Sequence, residues 1–80
     1  MSDITKIFDK EEILDKFARQ TLKEICVDLV ERGYNPIQQI TGYLMSGDPG
    51  YISSYKECRR RILEINREDI IELMVKNYIS

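Results

Sequence analysis

All four glycines and both prolines of this 80-residue chain fall between residues 33 and 50. Outside that window no residue strongly breaks a helix. Inside it, two short clusters do: Gly33-Tyr34-Asn35-Pro36, and Ser46-Gly47-Asp48-Pro49-Gly50. Glycine supplies left-handed backbone at little cost, and proline forbids continuation of a helix that precedes it. The chain is therefore punctuated twice in its middle, with long unbroken runs on either side.

Those runs carry helical periodicity. Ile13/Leu14, Phe17/Ala18, Leu22, Ile25/Cys26 and Leu29/Val30 recur at steps of three and four, which predicts an amphipathic helix. Asp9 with Glu12 reads as its start, leaving residues 1–8 as a short tail and residues 9–80 as the helical domain. Gly33 suits a left-handed C′ position, with Tyr34 packing back on the last turn. Asn35 as cap and Pro36 at the first helical position predict a second helix to about Met45, where Gly42 permits close approach. Ser54 and Glu57 form a capping-box pattern for a third helix, with Tyr55, Cys58, Ile62 and Ile65 on its apolar side. Asn66 reads as the cap of a fourth, whose second half (Met74, Val75, Tyr78, Ile79) is apolar nearly all round. The expected fold is all-α: a compact four-helix single domain.

A chain of 9.5 kDa buries about 63% of its unfolded surface on folding, less than a larger domain does, and a core of that size is marginal alone. Together with the apolar last helix, this predicts a homodimer. There is no histidine, which removes the commonest general base and metal ligand. The two cysteines, Cys26 and Cys58, cannot complete a tetrahedral thiolate site in one chain. No glycine-rich phosphate loop occurs, so neither cofactor nor metal is expected. No apolar run of membrane-spanning or signal-peptide length is present, and a cytoplasmic location with reduced thiols is the expectation.

Net charge is −2, yet residues 53–67 hold five basic groups against two acidic ones. Lys56, Arg59, Arg60, Arg61 and Arg67 are the candidate anion or partner surface, because arginine offers a fixed fork of donors to phosphate or carboxylate. The simplest alternative is a solvated helix face paired with Glu57 and Glu64. Cys58 sits beside Arg59 at a helix start, which would favour the thiolate, but it also lies on the apolar side. A small helical DNA-binding protein is the alternative function. Against it, residues 33–52, where a recognition helix would lie, contain no lysine or arginine. An enzyme is the third reading, without a visible polar pocket to support it.

The block from Glu31 to Pro49 resembles the signature of the IreB family of small regulatory phosphoproteins of Gram-positive bacteria. Gly33, Tyr34, Asn35, Pro36, Gln39, Gly42, Tyr43, Ser46, Gly47, Asp48 and Pro49 occupy its fixed positions. The likeness continues through Tyr51, Tyr55, Arg59, Ile62, Arg67, Ile70 and Tyr78. The resemblance implies a helical homodimer without enzymatic activity, whose tail threonine is phosphorylated by a membrane Ser/Thr kinase with PASTA repeats. It implies a role in peptidoglycan synthesis and antibiotic tolerance through protein contacts, including Clp-protease-linked regulators. Thr5, three residues before Phe8, matches the family's phosphoacceptor spacing. Arg59 and Arg67 fit the family's basic pattern, whereas Leu63 stands where many members have arginine.

Overall fold

The computed structural model describes the backbone from Ser2 to Ser80 and the side chains from Glu12 onward. Helix α1 spans Ser2–Glu31, α2 Pro36–Ser46, α3 Cys58–Ile62 and α4 Arg67–Ile79, with 3-10 turns at Pro49–Tyr51 and Tyr55–Glu57. The fold is all-α with four helices.

Helix α1 begins seven residues before Asp9, so the Asp9/Glu12 pair lies within the helix instead of starting it. The reason is local: no glycine or proline precedes residue 33, so nothing stops the helix from propagating toward the N-terminus. The expected tail, residues 1–8, thus has helical backbone from Ser2; its side chains lie outside those described. Over 30 residues α1 is about 45 Å long and forms the spine on which the other helices pack.

The helix ends as its glycine dictates. Gly33 takes φ of 90°, its N–H donates to the Val30 carbonyl, and the Tyr34 N–H donates to that of Leu29. This paired arrangement satisfies two of the carbonyls orphaned at the end of α1. Asn35 Oδ1 then accepts from the backbone of Ile37 and Gln38 at 3.0 and 3.3 Å, with Pro36 in the first turn of α2.

The third helix departs from expectation. Ser54 makes no capping bond; Ser53 Oγ accepts from the Tyr55 N–H at 3.1 Å instead. Lys56 and Glu57 both adopt left-handed backbone, at φ of 48° and 63°, and break the predicted helix into a 3-10 turn and a five-residue α3. Tertiary anchors override the local pattern. Ile52 is fully buried just before the break, Cys58 and Ile62 just after it. At the head of α4, Asn66 occupies the cap position without a side-chain hydrogen bond.

The core is one cluster. Ala18, Leu22, Ile25 and Leu29 of α1 meet Ile40 and Tyr43 of α2, Ile52, Cys58 and Ile62, and Ile70 and Leu73 of α4. On the other side, α4 leaves Ile71, Met74, Val75, Tyr78 and Ile79 exposed.

Candidate functional site

The signature block is a structural unit, and nearly every fixed residue in it has a mechanical role. Ser46 Oγ donates to the Gly42 carbonyl at 2.7 Å and accepts from the Asp48 N–H at 3.0 Å. Asp48 Oδ1 accepts from the Gly50 N–H at 2.8 Å, and Pro49 opens the 3-10 turn. Gln39 Oε1 accepts from the Ser53 N–H at 2.9 Å, tying the loop's far end to α2. Tyr43 is buried. At Gly42 a β-carbon would lie 2.5 Å from the Tyr51 ring, so the close approach foreseen at Gly42 is made by a tyrosine and not by another helix. Gly47, at φ of 76°, packs against the Arg67 guanidinium.

The five basic candidates form no single surface; they divide by how they are held. Arg61 is the most enclosed. Its Nη1 donates to Asp28 Oδ2 at 2.7 Å and to the Lys56 carbonyl at 3.1 Å, and Glu24 lies 3.7 Å from Nη2. Arg67 donates from Nη1 to the Leu44 carbonyl at 3.3 Å, taking up a carbonyl near the C-terminal end of α2. Lys56 is ion-paired with Glu31 at 2.7 Å. Arg59 sends Nε to the Ile52 carbonyl at 2.9 Å, and Arg60 sends Nε to Glu57 at 2.8 Å. The terminal nitrogens of Arg59 and Arg60 make no bond among the described residues, and both side chains are exposed. The expected pairing with Glu57 is present at Arg60; Glu64 takes no part.

A second cluster surrounds Tyr55. Its hydroxyl donates to Glu31 Oε1 at 2.5 Å, and its ring lies under both Arg32 and Lys56, at 5.7 and 5.6 Å. The hydrogen bond from Lys56, followed by that from Tyr55, holds the Glu31 carboxyl below its ordinary range. The same carboxylate raises both the Tyr55 phenol and the Lys56 ammonium through their hydrogen bonds to it. Arg61 is likewise raised, chiefly by its bond to Asp28.

Asp28, Glu31 and Tyr55 are the partners of these basic side chains that the sequence did not reveal. Arg61 lies 33 positions from Asp28, and Tyr55 lies 24 from Glu31. No local spacing rule connects such pairs. The thiols are free, and Cys58 is fully buried with its Sγ 4.0 Å from the Ile25 carbonyl. Burial raises its pKa, overcoming the lowering influence of Arg61, so Cys58 is the core thiol its place on the apolar side implies and the neighbouring arginines do not make it a thiolate. Cys26 is half-buried and raised for the same reason. Among the described residues no helix is long and apolar enough to cross a membrane. The side chains of Thr5 and Phe8 lie outside those described. Compared with known protein families, the chain matches the model described as IreB regulatory phosphoprotein over residues 3–80.

Proposed function

This chain belongs to the IreB family of regulatory phosphoproteins, and on that premise we propose that Thr5 accepts the phosphate and that Arg59 and Arg60 form the surface through which the two forms are distinguished, with Lys56, Arg61 and Arg67 as structural ties. The protein is a non-enzymatic regulatory phosphoprotein tied to PASTA-kinase signalling in cell-wall control. The family match over nearly the whole chain carries this conclusion; no observation favours the DNA-binding alternative, and α2 has no basic residue.

The division among the basic residues supports a specific form of the switch. Arg61 and Lys56 tie α3 and the helix break to α1, and Arg67 ties α4 to α2. Arg59 and Arg60 keep their terminal nitrogens turned outward and are the groups suited to a phosphate or an acidic partner. A phosphate at Thr5 adds about −1.5 to −2 charges and three strong acceptors. Thr5 stands about 35 Å along α1 from Asp28, the residue that Arg61 binds, so the phosphate acts either by docking on these arginines in a second copy or by repelling an acidic partner. Residues 1–8 serve as the phosphoacceptor segment, at the far end of α1 from Asp28 and Glu31. We place the protein in the cytoplasm as a homodimer, and its downstream contacts among Clp-protease-linked regulators of peptidoglycan synthesis, through which it sets antibiotic tolerance.

The test is intact mass after incubation with the cytoplasmic domain of a PASTA-type kinase and ATP, with fragment mapping of the product. One added phosphate on Thr5, absent from the Thr5→Ala variant, is the expected result. An alanine variant labelled as strongly as wild type overturns the site.

A further inference from the structure

Between the N-terminal half of α1 and the head of α4 runs a cleft of about 130 Å³. Its floor is Ala18, Ile65 and Leu73, all buried, and its walls include Leu14 and Phe17, which remain 58% and 50% exposed beside it. Four carboxylates line its rim: Asp15, Glu64, Asp69 and Glu72. Lys76 lies among them, 3.8 Å from Asp15 and 3.3 Å from Glu72. Glu64 and Asp69 make no ion pair among the described residues.

The shape and charge restrict what fits. Pockets for drug-sized ligands run to about 300–1,000 Å³; this cleft has room for a side chain. Its carboxylates are spread along the rim instead of converging: no three His, Cys, Asp or Glu among the described residues are grouped to hold a metal ion. A dispersed acidic rim around an apolar slot matches an extended cationic segment with an apolar anchor. A second copy is a poor occupant, because a two-fold contact centred here would set one carboxylate rim against the other.

We propose that this cleft docks a lysine- or arginine-rich segment of a partner protein, with one aliphatic side chain seated between Phe17 and Leu73. The site lies apart from the arginines of α3, so it gives the protein a second contact of opposite charge. It does not depend on Thr5 being the phosphosite.

The probe is a fluorescently labelled lysine-rich peptide carrying a single leucine, titrated against the full chain by anisotropy, with amide shifts mapped by NMR. Saturable binding is expected, with shifts at residues 14–18 and 64–73. Replacing the peptide's leucine with serine, or Phe17→Ala in the protein, weakens it about tenfold. Glu64→Gln/Asp69→Asn weakens it about fivefold. Glu24→Gln/Glu57→Gln makes the same charge change outside the cleft and alters binding by less than about twofold. Equal losses in the two double variants, insensitivity to the leucine, or no binding up to about 1 mM peptide each overturn the proposal. So does a map that places the shifts elsewhere, or one in which a second copy covers the cleft. NMR spectra of each variant confirm that it is folded.

Discussion

Gly47 shows how one residue serves both backbone and packing. Its left-handed φ of 76° closes α2, with its N–H donating to the Tyr43 carbonyl at 2.7 Å. Any β-carbon there would stand 2.5 Å from Arg67 Nη1. Gly33 has the same backbone need, at φ of 90°, but open space around it. Gly33→Ala is therefore expected to cost about 1–2 kcal/mol, the conformational term alone. Gly47→Ala is expected to cost more, because it also dislodges Arg67 from the Leu44 carbonyl. In a Gly47→Ala/Arg67→Ala double variant the losses are less than additive, by about 0.5–1 kcal/mol. Urea midpoints of the four proteins check this, and strict additivity would show that Arg67 does not sense the glycine. Asn35, by contrast, was legible from sequence, since its cap involves only the next three residues.

At the level of elements, α1 is tied to the break before α3 by Arg61–Asp28 and by the Glu31–Lys56–Tyr55 cluster. The capping-box pattern of Ser54 and Glu57 anticipates a continuous helix, and the structure replaces it with two left-handed residues. Local propensity is worth a fraction of a kcal/mol per residue, about the size of the cap. Fully burying Ile52, Cys58 and Ile62 on one core, with Arg59 and Arg61 anchored back to Ile52 and Asp28, outweighs it. The cluster also makes the tie pH-dependent. Glu31 is lowered in the folded state, so its contribution is present above the ordinary value of 4.5 and disappears as pH falls through the folded value. Lys56 and Tyr55 are raised, so theirs persists below their ordinary values of 10.5 and 10.0 and is lost only as pH rises past the folded ones. Denaturation midpoints measured from pH 3 to 7 should fall at the acid end less steeply in Glu31→Gln than in wild type. Because the cluster is solvent-exposed, added salt should shrink the difference. Parallel curves for the two proteins would count against the tether.

At the scale of the whole molecule, the apolar surface left open is the dominant fact. Ile37 and Met45 of α2 are 76% and 84% exposed, and Tyr78 and Ile79 of α4 are 91% and 77% exposed. Cys26, Ile37, Ile40, Leu44 and Met74 line an apolar groove of about 250 Å³ where α1, α2 and α4 meet. A small domain with such a face is expected to cover it with a second copy. Charging the groove by Met74→Lys should weaken self-association by about tenfold to a hundredfold, from the apolar burial it forfeits. Sedimentation velocity across a dilution series measures it. A wild-type protein that stays monomeric at high concentration would overturn self-association, and a dimer indifferent to the lysine would place the interface elsewhere.

What the sequence determined by itself is what neighbours along the chain determine. The helix stop at Gly33, the Asn35–Pro36 start and the Ser46–Pro49 turn are set by backbone geometry within a few residues. The all-α class follows from the periodicity around those stops. The family signature was visible for the same reason, being a continuous string. Only the tertiary structure decided which arginines face inward and where α3 breaks. Those outcomes depend on Asp28, Glu31 and Ile52, brought into place by packing across up to 33 positions of chain. Burial and pairing over such distances are properties of the folded core, and no local spacing rule in the chain encodes them.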